Sequence, residues 1–327
     1  MESAAGNAPR IALSALRFTG SGLKRPECVL ATAGGALYTA DWRGGVAQTR
    51  SDGSQQLFSA SLPAGRPLRP NGIALRADGS FLLADLGDTQ GGIFHLQRDG
   101  TVTSFLDAID GVPLPPSNYV VEDGKRTWLT VSTRHQPRAL AYRSDIADGF
   151  VAVVDERGAR IVADGLGYTN EALPSPDGRW LYVNETFSRR LTRFRIGADA
   201  SLSGRETVTT FGHGTYPDGM TFDAEGGIWI TSIVSNRVIR VLTDGSQELM
   251  LEDCDAAHVE NAEQAFLSGT MGRPHLDHAG GRLLKNISSL AFGGPGLRTA
   301  YLGCLLDERI AYFDAPVAGH PPYHWNF

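Results

Sequence analysis

Apolar and polar residues alternate along most of this chain in short runs, and the runs come in pairs. In GTYPDGMTFDAEGGIWITS, residues 214–232, the alternating stretch around Met220 and Phe222 is followed by a turn over residues 223–227 and a second run, Ile228, Trp229, Ile230. Period-two alternation on both sides of a glycine-bearing turn predicts strand, tight turn, strand, with Asp218 at the start of the first strand. The same phrase can be laid over five other places. They are PECVLATAGGALYTAD from Pro26, PNGIALRADGSFLLAD from Pro70, SNYVVEDGKRTWLTVS from Ser117, TNEALPSPDGRWLYVNE from Thr169 and, with one extra residue in its turn, SSLAFGGPGLRTAYLG from Ser288. Aligned in this way, the first-strand position holds Glu27, Asn71, Asn118, Asn170, Asp218 and Ser288, separated by 44, 47, 52, 48 and 70 residues.

After each hairpin comes another pair of strand-like runs, such as GGVAQTRSDGSQQLFS, GGIFHLQRDGTVTSFL and NRVIRVLTDGSQELML. Four strands recurring every 40–50 residues are the mark of a propeller blade, and radial closure removes the open sheet edges of a linear stack. The pattern predicts an all-β fold: a single six-bladed β-propeller domain over residues 1–327, with four-stranded antiparallel blades and residues 1–15 flexible. The sixth blade ends on DERIAYFDAP, and the tail VAGHPPYHWNF either packs on the outside or closes that blade. Two stretches break the rhythm, residues 133–148 and residues 253–286, and within the second Ala256–Leu267 has helical spacing. Long loops of this kind are walls of a pocket, the second a lid-like insertion, or surface decoration.

The repeat decides what chemistry is available. Residues at one strand position of several blades converge on the central channel, and Glu27, Asn71, Asn118, Asn170 and Asp218 all bring hard oxygen donors there. Two carboxylates with amide carbonyls suit one divalent cation on the central axis, Ca²⁺ first and Mg²⁺ or Mn²⁺ next, with Zn²⁺ the less natural choice for oxygen ligands. The plainer reading of each residue alone is that Asn or Asp before Gly starts a turn or ends a strand; five equivalent positions weaken it.

Composition narrows the partners. A formal net charge of −6 supplies no basic field for nucleic acid or an anionic membrane. Cys28, Cys254 and Cys304 stand far apart with no CxxC spacing, so neither a zinc knuckle nor a redox pair is expected. Without a basic-then-apolar leader or an apolar run of about 18 residues, the chain reads as a cytoplasmic, soluble monomer or homodimer acting on a small molecule. The pair His275 and His278 on a loop lacks an HExxH helix, no serine lies in a GxSxG elbow, and the glycine pairs belong to hairpin turns rather than to a phosphate cradle.

At this point the chain resembles the senescence-marker-protein/gluconolactonase family of six-bladed propellers, from Pro26 to about Pro316. The residues that carry the resemblance are PEC at 26–28, PNG at 70–72, the Asn118 segment, Asn170 with SPDGRWLYVNE, and YPDG at 216–219. The run from Asn170 through RRLTRFRI is also similar to strictosidine-synthase-like and arylesterase propellers. The resemblance implies a divalent-metal-dependent hydrolase that opens a lactone, with Glu27, Asn170 and Asp218 as metal ligands and Asn118 on the metal or the substrate. Asp218 doubles as the base, unless the ion alone activates the water. Where sugar lactonases of the family carry an Arg before the blade-three Asn, this chain has Pro116, and TRHQ stands at 133–136 where an acidic residue is usual. These departures point away from a polyhydroxylated sugar lactone and make Arg134 and His135, with Asn71 and Asn118, the candidate substrate contacts. A phosphotriesterase or arylesterase on the same propeller, or a non-catalytic ligand-binding propeller with a structural ion, are the alternatives.

Overall fold

Each run of alternating residues pairs with the next in the chain, because a hairpin closes with the least loop entropy. The structure, a computed structural model, describes residues 10–62 and 65–327. From the channel outwards, blade one is Val29–Ala31, Leu37–Asp41, Gly45–Thr49 and Gln55–Ser59. Blade two is Pro70–Leu75, Phe81–Asp85, Gly92–Leu96 and Val102–Leu106. Blade three is Ser117–Glu122, Thr127–Val131, Gly149–Asp155 and Gly158–Leu166. Blade four is Thr169–Pro174, Trp180–Glu185, Arg190–Ile196 and Leu202–Thr210, and blade five is Tyr216–Phe222, Ile228–Ile233, Arg237–Val241 and Gln247–Glu252. All pairings are antiparallel, and the six innermost strands pack on one another in a closed circle.

Blade six corrects the expected ending. Ile287–Gly293, Thr299–Cys304 and Ile310–Asp314 supply three strands, and the fourth is Arg17–Thr19 from the start of the chain, paired Arg17 to Tyr312 and Thr19 to Ile310. The two ends of the propeller are thus joined by backbone hydrogen bonds, which leaves no open blade edge at the seam. The tail does not close the blade. Of the segment expected to be flexible, residues 1–9 lie outside the described residues, while Ile11 is buried and donates its N–H to the Met250 carbonyl at 2.8 Å.

The core lies between blades, where the apolar faces of successive sheets meet. Trp128 and Trp229 are fully buried at the same place in blades three and five, and each donates its indole N–H to an aspartate of its own hairpin, Asp123 and Asp223, at 2.9 Å. A large apolar ring is thereby buried without orphaning its polar atom. Residues 253–286 form the helices Ala256–Leu267, as the spacing predicts, and Arg273–Asp277. Asp255 caps the first of them by accepting from the N–H groups of Ala257 and His258. Its Val259, Ala262 and Phe266 pack with Tyr142, Tyr168, Phe187 and Tyr216 into an aromatic roof on the rim where the innermost strands begin. A buried ion pair, Arg189 to Glu263 at 2.5 Å, ties this helix to blade four. Residues 133–148 join the same roof through the short turn Arg138–Ala141 and through Tyr142.

Candidate metal centre in the channel

The aligned position lies where the innermost strands break register. Pairing slips between Pro70 and Ile73, Ser117 and Tyr119, Thr169 and Ala172, Pro217 and Met220, and Ile287 and Ser289. Each slip is a bulge that leaves one or two residues unpaired and turns a side chain off the sheet face. Asn71, Asn118, Asn170, Asp218 and Ser288 sit in these bulges, and this is how a strand residue comes to point down the axis. The glycines after Asn71 and Asp218 serve close approach rather than a turn. A Cβ on Gly72 would stand 2.7 Å from the Tyr119 Cα, and one on Gly219 would stand 2.5 Å from the Ser288 carbonyl oxygen. Glu27 reaches the same place just before its strand, held by Arg25 at 2.9 Å.

The ring is buried and linked by hydrogen bonds. Asn71 Nδ2 donates to the Asn118 carbonyl at 3.1 Å, Asn118 Nδ2 donates to Asn170 Oδ1 at 2.7 Å, and Asn170 Nδ2 donates to Thr186 Oγ1 at 3.0 Å. Ser288 Oγ donates to the Glu27 carbonyl at 2.9 Å. The structure therefore brings together Glu27, Asn71, Asn170 and Asp218 around a void of only about 10 Å³, with Asn118 hydrogen-bonded between Asn71 and Asn170 beside it. That is room for about one small sphere.

Arg134 and His135 are placed differently. Arg134 forks onto Asp164 at 2.8 and 2.9 Å with its guanidinium over Phe150, and His135 Nδ1 meets Asp148 at 2.8 Å. Both are spent on carboxylates of blade three, away from the ring. The arginine that reaches the ring is Arg138, which donates from Nη2 to Asn118 Oδ1 at 2.7 Å and to Ser132 Oγ at 2.9 Å; its Nε is buried without a partner among the described residues. Nothing in the linear pattern of the 133–148 insertion singled it out.

A third carboxylate, Glu171, was also missed. It occupies the position that holds Gly72 and Gly219 in other blades, and Gly219 leaves the room it fills. A glutamate where sister repeats have glycine was the available signal. Glu171 accepts the Met220 N–H at 2.8 Å; burial, with the nearby charge of Glu27, pushes its pKa up to about 8. Asp218 is raised well above the usual carboxylate range, first by burial and then by Glu27 and Glu171. No described residue donates a hydrogen bond to the Asp218 carboxylate. Burying an unpaired carboxylate among others costs several kcal/mol unless a proton or cation neutralises it.

Among the described residues no three His, Cys, Asp or Glu side chains are gathered closely enough to hold an ion, and the residues at 275–278 form no such group. The axial site rests on amide and carboxylate oxygens together. Unpartnered Asp218, Glu27 and the Asn170 amide form a set of hard oxygens around an ion-sized void, and this set fits a divalent cation of the Ca²⁺ type.

A closed six-bladed propeller with carboxylate and amide oxygens gathered at the mouth of its channel defines the class of fold. Within that class, this chain belongs to the SMP-30/gluconolactonase/LRE-like family, whose profile matches residues 25–252. Among solved structures, a gluconolactonase from Xanthomonas campestris has 19% identity and a TM-score of 0.67, with 95% of this chain and 96% of that one covered. A regucalcin from Agrobacterium tumefaciens, described as calcium-binding, has 18% identity and a TM-score of 0.64 over 93% and 96%. At these identities the likeness is one of fold. In sequence, the chain is 27% identical over 171 residues to the Arabidopsis thaliana protein strictosidine synthase-like 6, which is 50% of this chain and 43% of that protein. The chain thus spans less than half the length of the curated relatives it matches. No helix among the described residues is long and apolar enough to cross a membrane.

Proposed function

We propose that this protein is a divalent-metal-dependent lactonase, a hydrolase that opens a cyclic ester at the mouth of the channel. The observation that carries the reading is the buried ring itself, with a carboxylate at Asp218 to which no described residue donates a hydrogen bond and whose ionised form burial disfavours. Family membership and the calcium-binding description of a structural neighbour support it. Glu27, Asn170 and Asp218 would hold the ion, with Ca²⁺ as the first choice because every donor is a hard oxygen. A divalent cation supplies Lewis acidity toward the ester carbonyl oxygen. Asp218 accepts the proton of the attacking water on its unpartnered carboxylate oxygen. Arg138, clamped by Asn118 and Ser132, orients the substrate's oxygens, while Asn71 and Asn118 fix the ring amides. The aromatic roof of Tyr142, Tyr168, Phe187 and Tyr216 limits water beside the ring.

Dialysis against a chelator is expected to reduce hydrolysis of a lactone panel by at least about 100-fold, with recovery on adding Ca²⁺. Turnover indifferent to chelation would sink the reading, and faster turnover of aryl esters or phosphotriesters than of any lactone would move it to the neighbouring ester class. Arginine variants sort the substrate contacts. Arg138→Ala should lower kcat/KM roughly 10- to 100-fold, the worth of one charged hydrogen bond. Arg134→Ala, which frees Asp164 and the Asp148 carbonyl and uncovers Phe150 but removes no contact to the ring, should stay within about twofold. Equal losses in both would return Arg134 to the site.

A further inference from the structure

Hydrogen bonds beside the ring run in one direction. Arg138 Nη2 donates to Asn118 Oδ1 at 2.7 Å, Asn118 Nδ2 donates to Asn170 Oδ1 at 2.7 Å, Asn170 Nδ2 donates to Thr186 Oγ1 at 3.0 Å, and the Thr186 hydroxyl donates to the Pro217 carbonyl at 2.8 Å. The two ends set the sense of this chain. A guanidinium has donors and no acceptor, and a backbone carbonyl oxygen has lone pairs and no donor. Every amide and hydroxyl between them is therefore committed. Turning over the Asn118 amide would set its NH2 against Arg138, and turning over the Asn170 amide would set its NH2 against that of Asn118. A donor left without an acceptor in a buried place is costly, and both asparagines are buried.

The same chain determines which amide oxygen is free. Asn118 Oδ1 receives Asn71 Nδ2 at 3.3 Å as well as Arg138, so both of its lone pairs are occupied. Asn170 Oδ1 accepts from Asn118 alone among the described residues and keeps one lone pair. The Asn170 NH2, which would repel a cation, is directed at Thr186. Thr186 is fully buried, stands just after the strand Trp180–Glu185, and does not line the void that Asn170 lines. Its bond to the Pro217 carbonyl ties blade four to blade five beside Asp218.

We propose, on the reading that the ring holds a divalent cation, that Thr186 is a positioning residue for that cation. Its hydroxyl holds the Asn170 NH2 outside the ring, in the sense that Arg138 imposes through Asn118, so that Asn170 presents oxygen to the ion.

Isothermal titration of the chelator-treated full chain with Ca²⁺ alone, well below the melting temperature, tests this. Thr186→Val keeps the shape and removes both hydrogen bonds, and Ca²⁺ should bind at least about tenfold more weakly, the usual loss when the outer partner of a metal ligand is removed. Thr186→Ser keeps the hydroxyl and should stay within about threefold of the parent. In Asn170→Asp both side-chain atoms at the amide's end are oxygens, so orientation no longer matters, and adding Thr186→Val there should cost no more than about twofold. A neutron structure of the unaltered protein with Ca²⁺ should show the deuterons of Asn170 Nδ2 directed at Thr186 and the Asn170 oxygen on the ion, and this arm holds even if Thr186→Val does not fold. A merely structural threonine would lower the melting temperature in chelator and leave the Ca²⁺ affinity of the folded chain unchanged. That result, equal losses in the valine and serine variants, an undiminished loss in the Asn170→Asp background, the opposite amide orientation, or a parent chain that binds no Ca²⁺ would each overturn the proposal. Ca²⁺ bound as expected by a chain that opens no lactone would support it and refute only the lactonase reading.

Discussion

Asp218→Asn is expected to abolish lactone hydrolysis, by at least about 10³-fold, in a protein that remains folded. The substitution keeps shape and one oxygen donor and removes only the charge. In the proposed lactonase that charge would have two tasks, as the anionic partner of the ion and as the acceptor of the water's proton, and both would be lost together. The stability effect has the opposite sign. Burial, Glu27 and Glu171 hold the Asp218 pKa well above the usual range, so its ionised form is disfavoured wherever no cation is bound. In chelator near neutral pH, the melting temperature of the variant should therefore equal or exceed that of the parent. In Ca²⁺ the order should reverse, because binding to the folded state stabilises by mass action and the variant binds more weakly. Lactone turnover and melting curves with and without Ca²⁺ check both halves. A variant that keeps its turnover, or gains as much from Ca²⁺ as the parent does, would remove Asp218 from the site.

The second large effect concerns Glu171 and pH. Its pKa in the folded chain is about 8, against an ordinary value of 4.5. The folded state therefore holds this proton more tightly than the unfolded state. Its contribution is complete below about pH 4.5 and is lost as pH rises through about 8. By linkage the full change is of order 5 kcal/mol, at about 1.4 kcal/mol per unit of pKa. In chelator, the protein should lose stability steadily between pH 5 and pH 9, as read from urea midpoints. Glu171→Gln, whose side-chain oxygen can still accept the Met220 N–H, should show a much shallower decline and higher stability at pH 9. Part of the slope remains because Asp218 titrates in the same direction. With Ca²⁺ present the slope should shrink in both proteins. An unchanged slope in Glu171→Gln would mean that this carboxylate is not held in the channel as described.

Both residues illustrate what a sequence can carry. Asp218 was legible because YPDG recurs in altered form in the other blades, and a repeat converts linear spacing into a common place in space. The same holds for Glu27, Asn71, Asn118 and Asn170. Glu171 stands beside Asn170 in the same phrase but was passed over, because strand alternation assigns a neighbour to the opposite face. The bulge between Thr169 and Ala172 cancels that alternation, and a bulge has no strong mark in the local pattern. Arg138 could not be told from Arg134 by position in a loop. Only the fold of residues 133–148 turns one guanidinium onto Asn118 and the other onto Asp164.

By itself, the sequence determined the six blades, all but the outer strand of the last, the helix at Ala256–Leu267 and the row of oxygen-bearing side chains at the start of five innermost strands. These rest on interactions between residues close in the chain, alternation and turns, copied from blade to blade. Only the tertiary structure decided that Arg17–Thr19 rather than the tail completes blade six, that Arg138 and Glu171 join the ring, and that the tail lies across the far ends of the innermost strands. Each of these depends on partners far apart in sequence, and such contacts are chosen by the closure of the whole ring and by the burial of polar groups rather than by local alternation.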